Sequence, residues 1–419
     1  MKNLSWTFFG NLIFAFSQWF VVFLITKFAN ISFLGKFTSV QAITAPVFMC
    51  LTFGFRTVIA SDVVSSNKET TYFSFRLITS VLAIIICMGV VLVKDAHEKD
   101  VLFLMVFYSI AKFIESLSDL IYGYYQRDKT FKNYGISFIL RGVFNCVFSF
   151  IAIVYINESW FVLSFLLSWL LVFYFFDYRH YKQIFKFSIQ KGPLKKLFLL
   201  TLPLAINLLL ISVSTNVQRY LVEYFLGYHA LGLMSGIMYF NVVGVLFVSS
   251  LSQTIIADLS SAYQVNDEKK FWRNYKKVLL PVLVIAIAYI LFTVFAGKSL
   301  LGLFYNKEFA QSSGLFILAA LIGLPTYLSS SIGYALTAIG KYRIQIWGTV
   351  ISISMTIIGS FLLIPRYNLN GAMYAGLAAS IFQCIILAIV LIKEVRKNAK
   401  AHMNEKENSQ LIEGAVKLG

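Results

Sequence analysis

Residues 101–121, VLFLMVFYSIAKFIESLSDLI, decide the fold class. The stretch is long and apolar enough to cross a bilayer as a helix, which takes about 20 residues. It nevertheless carries Lys112, Glu115 and Asp119 in its second half. A charge near the middle of a membrane helix costs about 2.5–3.5 kcal/mol on insertion scales, so such residues face a protein-lined or watery interior. Spacings of three, four and seven put Lys112, Glu115, Ser116 and Asp119 on one helical face. The remaining faces are Phe, Ile, Leu and Tyr. Apolar helix and polar stripe together read as one crossing of a polytopic membrane protein.

The composition agrees. Of 419 residues, 58% are hydrophobic and 13% charged, against about 25% charged in a soluble domain. The mean hydropathy is +0.76. A net charge of +17 would suggest nucleic acid in a soluble chain. Here the basic residues fall between apolar runs, where they retain loops on the cytoplasmic side and meet anionic headgroups. No nucleic-acid partner is expected. Cys50, Cys87, Cys146 and Cys384 lie in apolar runs without a C-x-x-C pair and read as small buried hydrophobes. The four histidines sit in or near expected loops and the tail, and H-E-x-x-H is absent, so neither metal nor cofactor is assigned.

Twelve candidate spans follow at 5–26, 37–55, 73–93, 101–121, 133–156, 160–176, 197–217, 231–251, 278–296, 311–331, 344–364 and 371–392. The first is too long for a signal-peptide core and is read as a retained span. With the N-terminus inside, 26 lysines and arginines lie on cytoplasmic segments and 8 on external ones. That bias places both termini in the cytoplasm. The basic loop 177–196 then separates an N-terminal six-helix bundle, 1–176, from a C-terminal one, 197–392, and 393–419 is a cytoplasmic tail. Leu34-Gly35 after span one is echoed by Leu226-Gly227 after span seven. Two halves of equal orientation predict a parallel repeat with the substrate site between them.

Other spans also carry polar stripes. Span five has Ser137, Arg141, Asn145 and Ser149 at steps of four. Span seven has Ser212, Thr215 and Asn216, a stripe continued by Arg219 and Glu223 near its outer end, and span one has Thr7, Asn11 and Gln18. Internal ion pairs, Lys112 with Glu115 or Arg141 with Asp119, would explain single residues as packing. Stripes on several helices point instead to a shared hydrated cavity. Gly297-Lys298-Ser299 resembles the end of a phosphate-binding loop, but Phe292 stands where that loop needs glycine. Transport would thus draw on a substrate gradient or an ion gradient. Glu115 and Asp119 are the candidates for coupling to H+ or Na+.

Phe33-Leu34-Gly35-Lys36-Phe37 and Phe53-Gly54-Phe55-Arg56-Thr57-Val58-Ile59-Ala60-Ser61-Asp62 resemble the polysaccharide repeat-unit flippases of the Wzx type. These belong to the superfamily that includes the MATE exporters. The likeness continues through Lys112-x-x-Glu115-Ser116-x-Ser118-Asp119, Tyr122-Gly123-Tyr124-Tyr125-Gln126-Arg127, Ser137-x-x-x-Arg141-Gly142, Thr201-Leu202-Pro203 and Leu226-Gly227. The resemblance implies a MATE-like all-α fold and no enzymatic activity. It implies a flippase that moves polyprenyl-diphosphate-linked oligosaccharides across the bacterial inner membrane by alternating access, for O-antigen, capsule or exopolysaccharide. Its partners would be membrane lipid and a polymerase and chain-length regulator of the same pathway. Arg141 and Lys112 would attract the diphosphate, with Arg56 near the cytoplasmic mouth and Arg219 near the exit. Asn145 and Asn11 complete the substrate-binding candidates.

Two other readings compete with this one. A multidrug or cation exporter of the same superfamily favours an acidic, aromatic cavity, against which Lys112 and Arg141 count and for which Glu115 and Asp119 count. A membrane-embedded glycosyltransferase or polymerase generally displays its catalytic residues on sizeable loops. The expected external loops 94–100, 157–159 and 297–310 are short, and no histidine sits at membrane depth.

Overall fold

The computed structural model describes residues 2–61, 69–188 and 191–416, and within them the side chains other than those of 2–5, 191, 342–343 and 400–416. Asp62 and Lys68, used above for the resemblance and the charge count, lie outside the described residues.

The described residues form helices and turns with no strand. In chain order they are α1 (Lys2–Phe28), α2 (Ile31–Leu51), α3 (Phe55–Ala60), α4 (Glu69–Lys94), α5 (Lys99–Arg127), α6 (Phe131–Ile151) and α7 (Val162–Val172). There follow α8 (Tyr178–His180), α9 (Lys191–Thr254), α10 (Ile256–Gln264), α11 (Glu268–Phe304), α12 (Lys307–Gln311), α13 (Ser313–Ala338) and α14 (Tyr342–Val416). Among the described residues, ten helical segments are long and apolar enough to cross a membrane. Expected spans seven and eight fall within the single helix α9, and spans eleven and twelve within α14. Each of these long helices is broken once, at Gly227 (φ 76°, ψ −175°) and at Asn368 (φ 50°, ψ −132°). The turn expected after span five is made by a π-helical turn, Ala152–Ile156, and by Asn157, whose side chain accepts from the Ser159 amide at 2.9 Å.

The chain forms two compact units, Met1–Gly236 with Leu303–Asn306, and Ile237–Gly302 with Lys307–Gly419. The boundary between these units falls inside α9.

In the first unit, α5 packs against α2, α3, α4 and α7, while α1 lies along α6. The α1–α6 seam is close because glycines line it: a Cβ on Gly135 would stand 2.4 Å from the Trp6 carbonyl. Small residues let membrane helices approach in this way, where hydrophobicity alone gives little drive to associate. The aromatic core beside α5 includes Phe55, Tyr122, Tyr124, Tyr125 and Ile184. Part of the basic loop is folded onto this core. Tyr181 donates to Asp128 at 2.7 Å, and the Ser188 amide donates to Ser74 at 2.8 Å. Burial alone would raise the Asp128 carboxyl, but hydrogen bonds from Arg127 and Tyr181 outweigh it and hold the group below its ordinary value.

In the second unit, Phe271, Tyr275, Val282, Tyr327, Leu336 and Leu391 belong to one apolar core. Tyr327 donates to the Asn241 carbonyl at 3.3 Å, and the Asn241 amide donates to the Ala319 carbonyl at 2.9 Å. The apolar stretches 231–251, 278–296, 311–331, 344–364 and 371–392 contain no charged residue. The charged residues that fall within expected spans therefore belong to the first unit.

Candidate functional site

The site is built around the end of α2. Phe53 (φ 51°) and Gly54 (φ 62°) both take left-handed backbone conformations. Glycine adopts this at little cost. A bulky buried residue such as Phe53 does so only at about 1–3 kcal/mol, and such strain concentrates at functional positions. The paired reversal ends α2 and starts α3, which carries Arg56. Gly123 of α5 lets α3 come close: a Cβ there would lie 3.1 Å from the Arg56 carbonyl oxygen and 3.2 Å from its Cα.

Arg56 thereby reaches Asp119, one turn earlier on α5, at 3.7 Å. Arg76 of α4 reaches the other oxygen of the same carboxylate at 3.2 Å. Arg56 also donates to the Tyr134 hydroxyl at 3.1 Å, and that hydroxyl donates to Asn11 at 3.1 Å. The Arg56 guanidinium lies 5.0 Å from the Tyr134 ring centroid and 5.7 Å from that of Tyr122, within cation–π range. The side chains of Arg56 and Asp119 are 30% and 27% exposed, whereas Arg76 is fully buried. Two cations converge on one anion, so the cluster carries a net positive charge at a partly open position.

Lys112 pairs with Glu115 along α5 at 2.7 Å, and both are partly exposed. Its ammonium stands 5.6 Å from the Tyr108 ring centroid. Ser116, on the same face, shares a 2.7 Å hydrogen bond with Ser80 of α4. The polar stripe of α5 thus turns toward α3 and α4, with Lys112 and Glu115 paired to each other and Asp119 drawn to the two arginines.

Arg141 has a different carboxylate. It pairs with Asp177, and both side chains are fully buried. Its guanidinium lies 3.8 Å from the Trp169 ring centroid and 5.1 Å from that of Tyr122. Ser137 donates to the same carboxylate at 3.1 Å. Asn145 accepts from Ser149 at 3.5 Å, and Ser149 shares a 2.6 Å hydrogen bond with Ser164 of α7. The stripe of α6 is therefore turned into the helix packing, and Arg141 pairs with Asp177 rather than Asp119, although its guanidinium and that of Arg56 both lie within cation–π range of the Tyr122 ring. Arg219 donates to Asn216 at 3.2 Å, on its own helix. Glu223, one turn further on, is buried and held by Lys94 and by Ser39, the latter at 2.8 Å.

Sequence reasoning missed Arg76, Asp177 and Lys94. The charge bias takes Arg76 as a cytoplasmic charge although it lies just inside the expected span 73–93. Asp177 and Lys94 fell just beyond the ends of expected spans. An arginine within two turns of a span's start, able to face an in-span carboxylate, was the available signal.

The fold and these clusters define an all-α, multi-pass membrane protein. Its fold is similar to that of the lipid II flippase MurJ in an inward closed conformation, with TM-score 0.75 and 17% identity over 95% of this chain and 90% of that one. It is also similar to an inward-facing multidrug resistance MATE family transporter of the MOP superfamily, with TM-score 0.70 and 14% identity over 92% and 95% of the two chains. A MOP superfamily transporter from Pyrococcus furiosus matches with TM-score 0.66 and 14% identity over 94% of each chain. In sequence, the capsular polysaccharide biosynthesis protein CapF of Staphylococcus aureus is 27% identical over 380 residues, 89% of this chain and 94% of that protein. The profile of the family described as polysaccharide biosynthesis protein matches residues 30–314, and the chain belongs to that family.

Proposed function

We propose that the protein is a flippase for polyprenyl-diphosphate-linked oligosaccharide repeat units in the bacterial cytoplasmic membrane. It works by alternating access in the synthesis of a surface polysaccharide. Twelve crossings are proposed, with Gly227 and Asn368 each dividing a long helix into two, and with both termini inside as the lysine and arginine bias requires.

One observation carries the reading. Arg56 and Arg76 share a single carboxylate at a partly exposed position, among the aromatic rings of Tyr122 and Tyr134. A diphosphate needs cations, and guanidinium groups match its oxygens in geometry. Membership of a polysaccharide biosynthesis family supports a saccharide cargo. Lys112 and Glu115 lie two and one turns along α5 from Asp119 and would meet the headgroup next. Asp119 and Glu115 remain the proposed ion-coupling carboxylates. A saccharide headgroup cannot cross hydrocarbon bare, since each unsatisfied polar group there costs several kcal/mol.

The test is genetic and biochemical. A deletion strain should accumulate polyprenyl-linked repeat units on the cytoplasmic leaflet. The wild-type gene should clear them, and Arg56→Ala should not. A deletion strain with normal surface polysaccharide and no accumulated intermediate would refute the reading.

A further inference from the structure

Asp119 faces more donors than it can satisfy. A guanidinium has five N–H donors. Arg76 is fully buried, yet only one of its nitrogens meets Asp119, and its Nε and Nη1 have no hydrogen-bond partner. Buried donors without partners are rare and costly. The ring of Phe55, 5.3 Å from the guanidinium, offers a face but no acceptor. Arg56, which also donates to Tyr134 at 3.1 Å, meets the other oxygen of Asp119 only at 3.7 Å. A diphosphate carries more oxygens, more widely spread and with greater negative charge, than a carboxylate. It suits two converging guanidiniums better than Asp119 does.

We propose that Arg56 and Arg76 form a diphosphate clamp in which Asp119 is the resident stand-in, displaced by the diphosphate of an incoming ligand. The proposal rests on the flippase reading for the identity of its natural ligand, but the clamp chemistry stands apart from it. Access runs through Asp119 itself. Its carboxylate is partly exposed while Arg76 is not, so a group that takes its place inherits the contact with the buried arginine. Displacement also gives a way back. Once the ligand leaves, Asp119 closes on the arginines again, so the site does not hold its cargo indefinitely. Arg76 is thereby a ligand-binding residue, and Asp119 a competitor that sets the affinity.

The experiment uses the full chain in phosphatidylcholine nanodiscs. Binding of inorganic pyrophosphate, and separately of farnesyl diphosphate embedded in the disc, is measured by calorimetry. Asp119→Asn removes the competing charge and should tighten both by about tenfold or more. Arg76→Gln should weaken both by a similar factor, and Arg76→Lys by less, because an ammonium keeps the charge without the fork. The Asp119→Asn, Arg76→Gln double variant should lose the gain. Arg76→Lys keeps the test informative if Arg76→Gln unfolds. Unchanged or weaker binding in folded Asp119→Asn would overturn the clamp. So would wild-type binding in both Arg76 variants.

The two readings separate cleanly. Ligand affinities that ignore these substitutions, in a chain that still clears lipid-linked intermediates from cells, sink the clamp and leave the flippase. The predicted order of affinities with no lipid-linked intermediate in the deletion strain keeps the clamp and sinks the flippase. Binding of pyrophosphate alone, in the predicted order, supports a clamp for a free diphosphate rather than a lipid headgroup.

Discussion

Arg141 and Asp177 form an ion pair with no solvent access to either side chain. Ser137 also donates to Asp177, and Trp169 and Tyr122 flank the guanidinium. Breaking such a pair by removing one member costs about 3–5 kcal/mol, because the other charge stays buried alone. Arg141→Ala should therefore lower the unfolding temperature in detergent by several degrees. Replacing both, as in Arg141→Met with Asp177→Leu, should recover most of that loss. The double variant should still transport, since the pair is turned into the packing of α6 and α7. A stable double variant without transport would place Arg141 back among the residues that meet the substrate.

Lys112 and Glu115 pose the opposite case. Their pair is partly exposed and lies along one helix, and exposed pairs of this kind contribute about 0–1 kcal/mol. Lys112→Ala should leave the unfolding temperature nearly unchanged. Transport of lipid-linked repeat units should nevertheless fall by about tenfold or more, an effect of roughly 1.4 kcal/mol on the limiting step. Normal clearance of the intermediate by Lys112→Ala would show that the pair serves only the helix.

Glu223 and Lys94 are unequal partners. Glu223 is buried and accepts from Ser39, whereas the Lys94 side chain is 39% exposed. Losing Lys94 strands a buried carboxylate, while losing the Glu223 charge leaves a lysine that water can still reach. Lys94→Ala should thus destabilise by about 1–3 kcal/mol, and Glu223→Gln by less. Asp95, 3.8 Å from Lys94 and accepting from Tyr228 at 2.7 Å, belongs to the same patch and should be left intact in both variants. The check is paired thermal unfolding, and the reverse order of stabilities would contradict the burial argument.

The sequence reveals the fold more readily than the site. Length and hydropathy place the apolar helices, because a bilayer imposes a span of about 20 residues whatever the side chains do next. Pairing is another matter. The spacing from Lys112 to Asp119 shows that they share a face of α5, but not that Asp119 turns to Arg56 and Arg76 while Lys112 stays with Glu115. Those choices depend on which helices lie beside α5, and that is long-range information. Arg141 illustrates the same limit. Its position on a polar stripe was legible, but Asp177, 36 residues away, decides where it points. The left-handed pair Phe53 and Gly54 was likewise hidden, since only the glycine announces such a turn.

Gly123 gives the last test, because it connects helix packing to the arginine cluster. A Cβ at this position would stand 3.1 Å from both the Arg56 carbonyl oxygen and the Ile59 Cβ. A methyl group is accommodated if α3 shifts by a few tenths of an ångström, so Gly123→Ala should fold and transport at a reduced rate. Gly123→Leu cannot be absorbed that way. It should cost about 1–3 kcal/mol by overpacking and move Arg56 out of reach of Asp119. The loss of transport should run through Arg56 alone. Combined with Arg56→Ala, Gly123→Leu should then add no further loss, the non-additivity expected of positions that act through one contact. Clearance of lipid-linked repeat units in the four strains of that cycle measures the coupling. Fully additive losses would mean that Gly123 supports the fold of α3 and α5 without setting the position of Arg56.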